Sequence, residues 1–282
     1  MRVAITGAAG QLGRQLVAVF EADGHLVRGL SHDDLDITRP DALLNWEPDV
    51  VINAAAWTDV DGCARDPERA MRINGVAAGA VAAVAADRGA LIVQVSTNEV
   101  FDGSLDRPYT EDDEPNPINA YGRSKLAGER AVVAANPRHL IVRTAWLFGP
   151  GGNNFVTKIL AAGVKAAGDA GQSLRLVEDE IGNPTWTPDL ARAILALVMA
   201  DRPSRIAHVA GLPAVSRLGW AQVALEAAGV TVDIEPVALA SFERDSTPPL
   251  RAALAASAGV PDMDWRPVTR AYAADTTAAV RS

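Results

Sequence analysis

The segment Gly7-Ala8-Ala9-Gly10-Gln11-Leu12-Gly13 restricts the fold of this chain more than any other stretch. It lies between a short apolar run, Arg2 to Thr6, and a run from Gln11 to Ala22 with helical character. Glycines at these positions allow a tight turn and let backbone approach a neighbour closely. A glycine pattern alone usually marks only a turn. Between a strand and a helix it also leaves the first helical N–H groups, and the positive end of the helix dipole, free to hold a pyrophosphate. Gly7, Gly10, Gln11, Leu12 and Gly13 are therefore candidate dinucleotide contacts.

The alternation continues downstream. Leu26 to Leu30, Val50 to Asn53, Leu91 to Val95 and His139 to Arg143 read as strands. Pro40 to Trp46, Pro67 to Asp87 and Gly122 to Ala135 read as helices between them. Strands alternating with helices imply an α/β fold, a Rossmann-type doubly wound parallel sheet with helices on both faces. Ligands of such sheets sit at the carboxyl ends of the strands. Gly7, Asn53, Thr97 and Thr144 fall at such ends.

After Gly149-Pro150-Gly151-Gly152 the pattern loosens. Helices are expected over 154–167, 188–199 and 216–228, strands over 174–177 and 205–209, and a loop-rich stretch over 236–249. The expected division is a Rossmann domain over 1–149 and a smaller C-terminal α/β substrate lobe over 150–282. Residues 186–200 are candidates for a return to the first sheet.

Composition narrows the function. The chain has 282 residues, 49% of them hydrophobic, enough for a sizeable core. A formal charge of −9 spread along the chain argues against a nucleic-acid partner. Cys63 is the only cysteine, so an intrachain disulfide is excluded. The amino-terminal strand lacks the basic flank and longer apolar stretch of a signal peptide. No run approaches the ~20 apolar residues of a spanning helix. A cytoplasmic protein with no membrane partner is expected, and a homodimer is left open. His25, His32, His139 and His208 lack metal-ligand spacing, so no metal site is expected. Cys63 reads as packing, and Glu111-Asp112-Asp113-Glu114 as a solvated acidic loop.

Tyr121 and Lys125 carry the chemistry. Residues four apart share a helix face, which places Lys125 beside Tyr121. A phenol titrates near ~10, and a neighbouring ammonium would lower that value. A group titrating closer to working pH is a better general acid. Tyr-x-x-x-Lys alone equally fits a packed tyrosine with a solvated lysine. Its place downstream of the glycine loop and of Ser96-Thr97 favours a nicotinamide-dependent reductase with Tyr121 as proton donor. The second strand ends without an acid before Asp33 and Asp34, while Arg28, Ser31 and His32 would tolerate a 2′-phosphate. NADPH is favoured on this basis, and NADH stays open.

The chain resembles an extended short-chain dehydrogenase/reductase, and within that group the dTDP-4-dehydrorhamnose reductase family. The resemblance rests on ordered strings over almost the whole chain. They are Gly10-Gln11-Leu12-Gly13, Asp34-Leu35-Asp36-Ile37, Val51-Ile52-Asn53-Ala54-Ala55-Ala56-Trp57-Thr58, Ser96-Thr97 and Val100-Phe101-Asp102-Gly103. Then follow Tyr121-Gly122 with Lys125-Leu126-Ala127-Gly128-Glu129, Arg143-Thr144-Ala145-Trp146, Asn153-Asn154-Phe155 and residues 182–191. The resemblance implies a catalytic set of Thr97, Tyr121 and Lys125. It implies that Gly10 to Leu12, Asp36, Ile37, Ala55, Ala56 and Trp57 line the cofactor and that Trp146 faces the sugar. Asn154 and the 182–185 turn would help close the substrate site. A core tryptophan is the competing reading of Trp146.

The implied reaction is NAD(P)H-dependent reduction of the C4 keto group of a dTDP-4-keto-6-deoxyhexose, first among them dTDP-4-dehydrorhamnose. Two departures sit where the sugar would be read. The family's Ser-Thr-Asp-Tyr is Ser96-Thr97-Asn98-Glu99 here, so a carboxylate replaces an aromatic. Such a carboxylate would bind a sugar hydroxyl or an ammonium, or point to solvent. Pro248-Pro249-Leu250-Arg251-Ala252-Ala253 keeps the arginine of a substrate loop but loses its neighbours. Asn98, Glu99 and Arg251 are thus candidate substrate contacts, and they raise a second reading, a 4-ketoreductase of a different dTDP-deoxysugar in specialised glycoside biosynthesis. A third reading is a non-catalytic NAD(P)-binding regulatory subunit, against which the intact Thr97, Tyr121 and Lys125 count.

Overall fold

A computed structural model describes residues 1–169, 172–200 and 205–281. Its first half is an alternation of strands and helices: β1 (Arg2–Thr6), α1 (Gln11–Ala22), β2 (Leu26–Leu30), a 3₁₀ turn (Pro40–Trp46), β3 (Val50–Asn53), α2 (Val60–Arg65), α3 (Pro67–Ala70), a π-helical stretch (Met71–Val76), α4 (Ala77–Asp87), β4 (Leu91–Thr97), α5 (Ala120–Ala135) and β5 (His139–Thr144). The second half holds β6 (Leu147–Phe148), α6 (Phe155–Gly168), β7 (Leu174–Val177), β8 (Ile181–Gly182), β9 (Thr185–Trp186), α7 (Thr187–Met199), β10 (Arg205–His208), β11 (Val215–Ser216), α8 (Arg217–Ala227), β12 (Ile234–Val237) and α9 (Trp265–Arg281).

Six strands form one sheet in the order β2-β1-β3-β4-β5-β10, every pair parallel. The reason is in the strands themselves. Val3-Ala4-Ile5, Val50-Val51-Ile52, Ile92-Val93 and Leu140-Ile141-Val142 are apolar on both faces and buried, as a sheet covered on both sides requires. One face packs on Leu12, Leu16 and Phe20 of α1 and on Leu190, Ile194 and Leu197 of α7. The other packs on Val81, Ala82 and Ala85 of α4 and Val132 of α5. The expected Rossmann-type sheet is therefore present. Both α7 and β10, from beyond residue 186, contribute to it.

A separate core gathers Phe148, Leu160, Trp220, Leu225 and Trp265 from β6, α6, α8 and α9. Two-stranded pairs, β7 with β12, β8 with β11 and β6 with β9, brace this part. Several elements differ from the sequence expectation, among them α2 (Val60–Arg65), where no helix was expected. The run from Pro67 to Asp87 is helical but passes through a π-helical stretch at Met71–Val76. Ile234 to Val237 pairs with β7, where no strand was expected and a loop-rich stretch was expected from residue 236. Residues 265–281 form a helix for which the sequence reading made no provision. Its inward positions, buried Trp265, Thr269 and Ala273 with half-buried Val268 and Tyr272, follow helical spacing, obscured in the sequence by the charged and small residues between them.

Helix α5 begins at Ala120 instead of Gly122, because the Asn119 side chain accepts from the Gly122 N–H at 2.7 Å and caps it. Tyr121 thus stands in the first turn. Farther along, Glu129 of α5 is clamped by Arg143 of β5 in a bidentate pair, Nε to Oε1 at 2.9 Å and Nη2 to Oε2 at 2.7 Å, with Ser96 Oγ donating to Oε1 at 2.5 Å. Both charges are buried. Removing one partner of a buried pair strands the other. Glu129→Ala should therefore cost about 3–5 kcal/mol in urea unfolding, whereas an unchanged unfolding midpoint would refute the clamp.

Candidate active site

The chain runs from β1 to β2 on one side of the sheet and then to β3 on the other, which opens a crevice above the carboxyl ends of β1 and β3. Two adjoining cavities occupy it, sharing Gly7, Gly10, Ala54 and Ala56. One, of about 440 Å³, is bordered by Gln11, Leu12, Gly13, Thr97, Asn98, Glu99, Tyr121, Lys125, Trp146 and Asn154. The other, of about 470 Å³, is bordered by Ser31, His32, Asp36, Ile37, Ala55, Trp57 and Arg69. The sequence candidates for cofactor binding thus line one continuous groove.

The glycines are there for steric reasons. Gly7 has a φ of 68°, and a Cβ on it would stand 2.8 Å from the Ala55 nitrogen. A Cβ on Gly13 would stand 2.1 Å from the Gly7 carbonyl oxygen. Side chains here would close the turn and push α1 off the sheet. Helix α1 also carries no side-chain cap, so its first amides remain for a ligand. In the second cavity Asp36 is held below the usual carboxylate range by hydrogen bonds from Thr38, first through its hydroxyl at 2.7 Å and then its N–H at 2.9 Å. Arg69 lies over the Trp57 ring at 4.4 Å. Ser31 and His32 border this cavity, and Arg28 does not. Thr144 adds a buried hydroxyl on the first cavity without a hydrogen-bond partner among the described residues. A glycine cradle, uncapped amides and an orphan hydroxyl in one crevice fit a dinucleotide.

Thr97 ends β4 and borders the same cavity as Tyr121, with its hydroxyl donating to Asn98 Oδ1 at 3.3 Å. Lys125 lies one turn beyond Tyr121 on α5, buried, with Nζ donating to the Val95 carbonyl at 2.7 Å. Burial brings its ammonium down to about 8, against the opposing pull of Glu129. The expected lowering of Tyr121 is reversed: burial, then the charge of Glu99, push the phenol above its ordinary range, and only the Thr97 hydroxyl works the other way. A desolvated phenol beside a carboxylate stays protonated, which is the state a proton donor needs.

Glu99 points inward. Its Oε2 accepts from Asn119 Nδ2 at 2.7 Å. Burial raises its carboxyl to about 6, with Glu180 adding to the effect and the Asn119 bond, Arg217 and Arg244 opposing it. Asn98 borders the cavity, but its amide is committed to the Ala252 carbonyl at 3.0 Å. Asn154 caps α6 and donates to Gly149 O and Tyr272 Oη, both at 3.1 Å. Trp146 is half-buried between the cavity and the C-terminal core. It borders the cavity while stacking with Trp220 at 6.0 Å and beneath Arg217 at 3.6 Å.

Arg251 does not belong to this group. Its side chain is 57% exposed, pairs with Asp106 at 3.4 Å and borders neither cavity. The reason is that its backbone is bridged to Ile181, which leaves the side chain to solvent. The arginine packed on the cavity-lining Trp146 is instead Arg217, bound to Glu180 at 3.0 Å. Nothing in the sequence distinguished Arg217 from a surface residue. Asn119 was legible in principle, as an Asn at a helix start. Among the described residues no group of three or more His, Cys, Asp or Glu is arranged to hold a metal.

The parallel sheet, the crevice at its switch point and the Thr97, Tyr121, Lys125 constellation define an extended short-chain dehydrogenase/reductase. Residues 1–277 match the RmlD substrate binding domain family, and the chain belongs to that family. It is 40% identical over 278 residues to the dTDP-4-dehydrorhamnose reductase of Mycolicibacterium smegmatis, covering 94% of this chain and 83% of that one. It is 42% identical over 199 residues to a dTDP-4-keto-6-deoxy-D-glucose reductase of Streptomyces niveus, covering 69% and 67%. A crystal structure of dTDP-4-dehydrorhamnose reductase from Bacillus anthracis in complex with NADP matches with a TM-score of 0.89 at 31% identity, covering 96% and 98%.

A carboxyl raised from 4.5 to about 6 binds its proton more tightly when folded. The charge-free state is then the stable one: stability is full below 4.5 and declines as pH rises through 6. Glu99→Gln keeps an acceptor for Asn119 and removes the charge. It should gain up to about 2 kcal/mol over wild type above pH 6 relative to pH 4. Thermal unfolding at both pH values measures this, and a pH-independent difference would contradict it.

Proposed function

We propose that this protein is an NAD(P)H-dependent reductase of the C4 keto group of a dTDP-4-keto-6-deoxyhexose, first of all dTDP-4-dehydrorhamnose reduced to dTDP-L-rhamnose. The observation that carries the reading is that the Thr97 and Tyr121 hydroxyls, with Lys125 one turn on, border one groove that begins at the glycine cradle. Family membership and the names of the relatives supply the substrate class.

A dinucleotide bound here would supply the hydride that C4 receives. The glycine turn and the first amides of α1 would hold its pyrophosphate, and Asp36, Ile37 and Ala55 to Trp57, which border the second cavity, would hold another part of it. Ser31 and His32 in that cavity support NADPH as the preferred form. Tyr121 enters protonated and gives its proton to O4 as charge develops there. The Thr97 hydroxyl donates a hydrogen bond to the same oxygen. Lys125, buried on the same helix face, offsets the phenolate left behind. Trp146 and Asn154 border the sugar side. A soluble cytoplasmic location suits such a reaction, and among the described residues no helix is long and apolar enough to cross a membrane.

A second reading, reduction of a different dTDP-deoxysugar, is favoured by one observation: Glu99 faces the cavity where the family carries an aromatic. Turnover of dTDP-4-keto-6-deoxyglucose with and without a 3,5-epimerase separates the two. Tyr121→Phe, which keeps the ring, should lower kcat by about 10²–10⁴ with an unchanged circular dichroism spectrum. Near-normal turnover by this variant would remove Tyr121 from its role.

A further inference from the structure

Glu99 is the only acidic residue among those bordering the reaction-side cavity. A carboxylate has about four acceptor positions. Among the described residues the Glu99 carboxylate receives one hydrogen bond, from Asn119 to Oε2. The charged groups around it are committed elsewhere. Arg217 of α8 binds Glu180, and Arg244 of the C-terminal loop binds Asp61 at 3.3 Å. On its near side stand Tyr121 of α5 and Cys63 of α2, which are neutral. Glu99 therefore brings unused acceptor capacity to the cavity wall.

Its place relative to the reacting carbonyl follows from backbone. The Glu99 N–H donates to Thr97 Oγ1 at 3.2 Å, and the Thr97 and Tyr121 hydroxyls border the same cavity as Glu99. The two hydroxyls mark O4 under the ketoreductase reading, on which this inference rests. Two ring carbons flank C4. C5 bears a hydrogen, a methyl group and the ring oxygen, none of which donates. C3 is the only flanking carbon able to carry a donor.

We propose that Glu99 selects substrates bearing a hydrogen-bond donor, hydroxyl or amino, on C3. A C3 methylene would leave the carboxylate facing an apolar group after water is displaced. Sites built to receive a donor reject analogues lacking it far more strongly than apolar pockets reject a lost methylene.

The test compares kcat/KM for three dTDP-4-keto-6-deoxyhexoses that differ only at C3, carrying hydroxyl, amino or hydrogen. The wild type should prefer at least one donor-bearing compound over the C3-deoxy compound by about 10²-fold or more. Glu99→Ala should narrow that ratio below about tenfold. Glu99→Gln, whose single oxygen stays with Asn119 and whose NH₂ turns to the cavity, should narrow it too, and it carries the comparison if the alanine variant does not fold. The better of the two donor-bearing compounds identifies the donor. Equal turnover of the C3-deoxy compound, or full discrimination retained by the folded variants, overturns the role of Glu99 and leaves the ketoreductase reading intact. Failure of the wild type to reduce any of the three overturns that reading, and this inference with it.

Discussion

The rotational setting of α5 is the constraint on which the site depends. Tyr121, Lys125 and Glu129 lie at i, i+4 and i+8, one stripe of one helix. Glu129 is locked to Arg143 and Ser96 inside the protein, so the stripe faces the crevice and no other direction. Two glycines let the helix sit this close. A Cβ on Gly122 would stand 2.1 Å from the Glu99 carbonyl oxygen, and one on Gly128 2.2 Å from that of Asn74. Asn74, in the π-helical stretch, then ties α5 to the cofactor side: its amide accepts from Trp57 N–H at 2.8 Å and donates to Trp57 O and Ser124 Oγ, both at 3.0 Å. π-Helical turns recur where a functional side chain must be re-aimed, and Asn74 is such a case.

Electrostatics follows from that packing. Burial drives every ionisable group of the site toward its neutral form: Tyr121 upward, Glu99 upward, Lys125 downward. Glu129 moderates the effect at Lys125, and Glu99 deepens it at Tyr121. The phenol is thereby kept protonated, with the Lys125 side chain one turn away on the same helix. The spacing of Tyr121 and Lys125 alone suggested a lowered phenol. It omitted desolvation and the carboxylate two residues beyond Thr97, which together outweigh the lysine.

Two parts of the molecule meet at the reaction-side cavity. Thr97, Tyr121 and Lys125 stand on β4 and α5, braced by the main sheet. Glu99 after β4 and Trp146 after β5 border the same cavity, and Trp146 begins an aromatic stack that reaches into the C-terminal core.

The sheet and its order of elements were legible because apolar runs of strand length alternate with helical periods, and a parallel sheet needs little else. The glycine turn was legible because its residues serve local sterics. Tyr121 and Lys125 were legible because both lie on one helix, where spacing fixes their relation. What the sequence could not decide were contacts between distant segments. Arg251 turned outward because its backbone bridges Ile181, and Arg217 took a place over Trp146 because α8 packs there. Asn119 became both helix cap and partner of Glu99 through a fold that brings residues 99 and 119 together. Local pattern thus determined the fold class and the helical spacing of Tyr121 and Lys125. Tertiary packing alone decided the direction in which each acid and base is shifted and which charged side chains border the crevice, because burial and long-range pairing are properties of the assembled molecule.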